Sequence, residues 1–188
     1  MRTNNWIVIM RLEEKYKKEI VPALKDKFGY KNTIAMPKLS KIVINVGIGR
    51  HSKEKDYIDN VVNNILRLSG QKPVLTKAKK SISAFKIRDG MIIGVSVILR
   101  GRRMYDFVQK LVNITFPRVR DFRGIKMSGI DKQGNLSIGF KEHISFPEIK
   151  VDEVDNIHGL EVCLHTTAKT KEVGLELFKS LGFPFIKE

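Results

Sequence analysis

From Arg11 to Phe28 apolar residues recur at every fourth position, as Leu12, Tyr16, Ile20, Leu24 and Phe28, and the stripe stops at Gly29. Side chains four apart share one face of a helix, so this spacing predicts an amphipathic helix with a glycine stop. Pro22 inside it predicts a kink or a restart, because proline removes a backbone donor. The period then changes to two. In LSKIVINVGIG, Ile42, Ile44, Val46 and Ile48 alternate with Lys41, Val43, Asn45 and Gly47. That predicts a half-buried strand whose second face is small and polar.

The two periods go on alternating down the chain. Tyr57, Val61, Ile65 and Leu68 predict a helix from about Lys55 to Leu68, closed by Ser69-Gly70. MIIGVSVILRG predicts a strand with Ile93, Val95, Val97 and Leu99 inward and Gly94, Ser96 and Arg100 outward. Met104, Val108 and Leu111 predict a helix from Arg102 to Thr115 that stops before Pro117. Short strands are predicted on both sides of the DKQGN turn, Asp131 to Asn135. LEVCLHTT is the last strand, and Val173, Leu177 and Leu181 mark a closing helix ended by Gly182. Helices and strands mix without regular βαβ alternation, and two strands have one apolar and one mild face. The fold class is therefore α+β, a mainly antiparallel open sheet with helices packed on one face. A bare sheet face carrying Asn, Ser, Gly and Arg suits RNA, although it names no ligand by itself.

Charge sharpens that picture. The chain has 188 residues, with 35 Lys and Arg against 20 Asp and Glu, a net charge of +15. This length suits one domain, and 42% hydrophobic residues suffice for a packed core. The excess of cations points to a polyanion, nucleic acid before anionic membrane. It is concentrated in QKPVLTKAKKSISAFKIRDG, where Lys72, Lys77, Lys79, Lys80, Lys86 and Arg88 precede the first acid, Asp89. Ala78, Thr76, Ser81 and Ser83 add little bulk there, so a phosphate chain can approach closely. Phe85 suits base stacking and a place in the core equally well. A second cluster, PRVRDFRG, holds Arg118, Arg120 and Arg123. Arginine forks suit phosphate and RNA surfaces; pairing with a local acid such as Asp121 is the plainer reading.

Other chemistry is thin. A single cysteine, Cys163, excludes a disulfide framework and fits a reducing compartment. Its apolar neighbours suggest a small core or half-buried thiol rather than a nucleophile. Gly47 to Arg50 resembles part of a dinucleotide loop, but Ser52 stands at the third glycine position, and a strand exit is the better reading. His51, His143, His158 and His165 lack metal-ligand spacing. Without a nucleophile elbow or a distinctive carboxylate pair, no enzyme, metal or cofactor is expected. No apolar run is long enough to span a membrane, and Trp6 to Met10 is too short for a secretory core. Met10 offers an alternative start, so residues 1–10 are expected to be an extension before a single domain at 11–188, and the protein is expected to be cytoplasmic.

Taken in order, INVGIG, SGQKPVLTKAKKSISAFKIRDG, LRGRRMYDFVQKL, FPRVRDFRGI, FPEI, HTTAKT and GFPF resemble the large-subunit ribosomal protein five family, in its bacterial form, from about Arg11 to the end. The resemblance implies a structural constituent of the large subunit that binds 5S rRNA in the central protuberance. It implies contacts with 5S rRNA at Asn45, Gly47, Gln71, Lys72, Pro73 and Arg100. It assigns Lys77, Ala78, Lys79, Lys80 and Ser81 to P-site tRNA. It assigns Arg118, Arg120 and Arg123 to a bridge with a protein of the small-subunit head. Large-subunit rRNA and other central-protuberance proteins are further implied partners. The chain departs from the family pattern at Ile98, where threonine is expected, at Lys79, where arginine is usual, and over residues 1–9. A free-standing RNA-binding or assembly factor would also fit the charge, and a phosphate-ester enzyme is the remaining rival.

Overall fold

The computed structural model describes residues 11–30, 32–52, 54–149 and 156–186; the N-terminal extension lies outside them. The first helical stripe forms α1 (Leu12–Lys15) and α2 (Val21–Phe28), joined by a π turn at Tyr16–Ile20. Leu12, Tyr16, Ile20 and Leu24 are all buried. A strict four-residue spacing overshoots a 3.6-residue turn, and the wider π turn returns the stripe to one face. It also answers Pro22. In an α-helix the proline ring clashes with a carbonyl one turn back, and the wider turn places that carbonyl elsewhere. Gly29 ends the helix in the left-handed region at φ 66°.

Strand β1 (Leu39–Gly47) and helix α3 (Lys55–Ser69) follow as the pattern predicts. Next comes a short edge strand, β2 (Val74–Lys77), inside the basic stretch, where periodicity predicted none. It pairs with β3 (Ile92–Leu99). Helix α4 (Gly101–Lys110) runs through a second π turn (Leu111–Thr115) into α5 (Phe116–Arg118). The helix therefore does not stop before Pro117, as the sequence predicts; a π turn again precedes the proline, and the helix continues past it. Only one strand flanks the DKQGN turn: β4 (Leu136–Phe140) follows it, while the other side is reduced to a single bridge, Ile130 to Leu136. Strand β5 (Leu160–Thr166) and helix α6 (Lys171–Ser180) close the fold.

The described strands form one antiparallel sheet in the order β2-β3-β1-β5-β4. Ile42, Ile44, Val46, Val95, Val97, Leu99, Leu160, Val162, Leu164, Leu136 and Phe140 are buried on the face that carries the helices. Against them pack Leu68, Leu111, Leu177 and a group of rings in which Phe116 touches Phe122, Phe140 and Phe183. Among the described residues no helix covers the opposite face.

Candidate nucleic-acid interface

Strand register sets out the bare face in rows. Asn45 lies between Ser96 and Glu161, with Val74 beyond Ser96 and Gly139 beyond Glu161. One row toward the end of β1, Gly47 faces Gly94, which faces Thr76. In the other direction Val43 lies between Ile98 and Cys163. Asn45 is half-buried, whereas Gly47 is exposed and a Cβ built on it meets no atom within 4 Å. Gly94 is the reverse: a Cβ there lies 2.6 Å from Thr76 Oγ1 and 3.2 Å from the Val46 carbonyl. Glycine at 94 therefore keeps the centre of the face flat and leaves Thr76 Oγ1 the space that a Cβ would take. Periodicity places Gly94 outward but gives no sign of this close approach.

Gln71 marks one end of the face. Its Nε2 donates to the Ile98 carbonyl at 3.1 Å, and its backbone N–H donates to Ser69 Oγ at 3.2 Å. The residue just past α3 is thus tied to the end of β3. Lys72 is exposed beside it, and Pro73 is buried as the chain turns into β2. Arg100 is exposed at the same end, where β3 passes into α4. Ile98, 45% exposed, is an apolar patch between Gln71 and Val43.

The excursion between β2 and β3 leaves the opposite end of β3, seven residue steps or about 23 Å from Leu99. Ala78 closes its neck and does not lie on its surface. It is 7% exposed, its N–H donates to the Met91 carbonyl, and its own carbonyl accepts from Gly90 N–H. Beyond this clasp, Ile82 and Ile87 form a bridge and Lys86 takes a left-handed φ of 55°. Ser81 Oγ accepts from Asp89 N–H at 2.9 Å. Lys77, Lys79, Lys80, Lys86 and Arg88 are exposed, and none forms an ion pair with a carboxylate among the described residues. Phe85 is 72% exposed at the tip, so it is not a core aromatic.

Arg118, Arg120 and Arg123 are exposed around the end of α5. Asp121, in the left-handed region at φ 55°, forms no ion pair with them. The local-pairing reading thus finds no support. The remaining candidates fall away on geometry. Cys163 is half-buried on the bare face, accepts from Ser137 Oγ at 3.5 Å, and burial pushes its thiol pKa up. His143 and His158 stack on each other at 3.9 Å in the interior. Among the described residues no group of His, Cys, Asp and Glu could hold a metal ion, and no helix is long and apolar enough to cross a membrane.

A bare antiparallel sheet face flanked by uncompensated cations defines a basic scaffold suited to a polyanion. Comparison with known proteins makes the class specific. A family model described as ribosomal protein L5 matches residues 32–88, and a second, describing the C-terminus of the same ribosomal family, matches residues 92–185. The large ribosomal subunit protein uL5 of Desulforapulum autotrophicum is 56% identical over 174 residues, covering 93% of this chain and 97% of its own. That of Halothermothrix orenii is 53% identical with the same coverage. The Clostridium tetani protein is 49% identical over 178 residues, 95% of this chain and 99% of its own. The chain belongs to the ribosomal protein L5 family. It is a structural, non-enzymatic protein of the large ribosomal subunit, located on the ribosome in the cytoplasm.

Proposed function

We propose that the protein binds 5S rRNA in the central protuberance through the bare sheet face. In this reading Asn45 and Gly47 lie under the RNA, and Gln71, Lys72, Pro73 and Arg100 frame one end of it. The observation that carries it is the row through Asn45: a polar, glycine-flanked face with no helix of the described residues over it. Gln71 adds support, since its amide nitrogen is committed to Ile98 and its orientation is thereby set before RNA arrives. Glu161 beside Asn45 opposes a phosphate at that point. It favours base edges or riboses there, and phosphates farther out over the lysines.

The β2–β3 excursion extends from the same scaffold toward P-site tRNA, with Lys77, Lys79, Lys80 and Ser81 as its contacts and the buried Ala78 holding its neck closed. Arg118, Arg120 and Arg123 serve the bridge to a protein of the small-subunit head. Filter binding with a 5S transcript tests the central part. Asn45→Ala and Gln71→Ala should each weaken binding by about 1–3 kcal/mol, because RNA groups lose partners in a desolvated site. Changing the three arginines to alanine should leave 5S affinity within about twofold while weakening subunit joining. Unchanged affinity in both single variants would remove the sheet face from the 5S site.

A further inference from the structure

A cleft of 330 Å³ lies on the helical side of the molecule, between the last turn of α3 and one side of α4. Leu68 and Phe107, both buried, form part of its lining, and Arg67, Gly70, Arg103 and Lys110 surround them. Lys110 is committed internally. Its Nζ donates to the Leu68 carbonyl at 2.6 Å, contacts Glu148 Oε1 at 2.5 Å and sits 5.3 Å above the Phe107 ring. The cleft wall is thereby braced against the loop that follows β4. The acid in the lining, Asp106, faces Arg102 at 3.9 Å. Arg103 meets no carboxylate among the described residues.

The last carbonyls of α3 do not need Arg103 as a cap. Leu66 O accepts from Gly70 N–H, Ile65 O from Ser69 Oγ, and Leu68 O from Lys110. Helix capping therefore leaves Arg103 unexplained, and an arginine fork beside an apolar floor suits a phosphodiester with its ribose. The place is also continuous with the proposed 5S site. Ser69 and Gly70 lead directly into Gln71, and Arg100 precedes the helix that carries Arg103.

We infer that this cleft is a second RNA-binding point, in which Arg103 and Arg67 hold one backbone phosphate of a strand that passes around the Gln71 end of the sheet. It rests on the reading of the sheet face as an RNA site. The phosphate can belong to 5S rRNA or to the large-subunit rRNA, and the test separates the two. The full-length protein and its Arg67→Ala/Arg103→Ala variant are compared by phosphate-ethylation interference and by salt titration, on 5S transcript and on reconstituted large subunits. The variant should lose interference at one discrete backbone position while the Asn45→Ala protein keeps it. Its dependence of log K on log salt should become shallower by about 0.7–0.9 for the one phosphate no longer neutralised, with affinity reduced about fivefold or less. An effect on isolated 5S transcript assigns the phosphate to 5S rRNA; an effect only in reconstituted subunits assigns it to large-subunit rRNA. The inference is overturned if interference and salt slope are the same as in the parent protein on both RNAs. If the parent fails to bind 5S transcript, the sheet-face reading fails, whereas the cleft is still decided on reconstituted subunits.

Discussion

Thr115 shows how much one buried atom can matter. It is fully buried in the second π turn, and its Oγ1 has no hydrogen-bond partner among the described residues. A hydroxyl taken from water without a partner costs about 1–3 kcal/mol. Thr115→Val removes it with little change of shape and should stabilise the protein by about 1 kcal/mol, read as a rise of about 2–4 °C in Tm. A lower Tm would mean that the hydroxyl finds a partner in solution. The glycines have an equally local logic. A Cβ at Gly174 would lie 2.6 Å from the Gly134 carbonyl, so α6 is seated directly on the DKQGN turn. Two glycines far apart in the sequence are needed for one close approach.

At the scale of elements, the stacked histidines hold the segment between β4 and β5. His158 N–H donates to His143 Nδ1 at 3.2 Å, and Asn64 Nδ2 lies 3.4 Å from His158 Nε2. His143 Nδ1 also lies 3.2 Å from the His158 carbonyl, so the tautomer of the ring decides which of the two contacts it makes. Burial, the largest cause, pushes both pKa values down, His158 to about 4. The unfolded chain, with a histidine pKa of 6.5, binds protons that the folded chain refuses. The stabilisation is therefore complete above pH 6.5 and is lost as pH falls toward 4. At roughly 1.4 kcal/mol per pH unit, a fall from 6.5 to about 4 makes the His158 contribution about 3 kcal/mol. Denaturant unfolding should show that loss between pH 6.5 and 4, and His158→Gln should flatten it. A slope that persists in this variant would assign the acid sensitivity to other groups.

At the scale of the whole molecule, the cations lie away from the core and the bare face lies away from the helices. Lys77, Lys79 and Lys80 gain nothing from one another, so replacing all three with alanine should leave Tm unchanged or slightly raised as repulsion is relieved. Incorporation into large subunits should persist, because the sheet face and Gln71 are intact. Under the proposed role in tRNA binding, P-site occupancy should fall, with a salt dependence shallower by about 0.7–0.9 for each phosphate no longer neutralised. Single changes are each worth under about 1 kcal/mol, so the triple variant is the one to measure. Normal tRNA occupancy together with failure to join the large subunit would make the excursion an rRNA anchor.

Much of this architecture is local and was legible in the chain. Ile42, Ile44 and Val46 needed only a period of two to be placed on the inner face, and Gly29 and Gly70 needed only their position after an apolar stripe. The family itself is carried by short ordered motifs that no folding is required to read. Long-range pairing decided the rest. β2 carries little alternation and exists because β3 offers it an edge. The helix passes Pro117 because a π turn moves the clashing carbonyl, which side-chain periodicity does not encode. Phe85 suited the core and the surface equally until the Ala78 clasp carried it outward. The cleft at Arg103 brings the end of one helix against the side of another, and Lys110 braces it through Glu148 from a distant loop. Hydrophobic periodicity records which face of an element leaves water. Which elements then meet, and which charges are left without partners, depends on pairings between segments far apart in the chain.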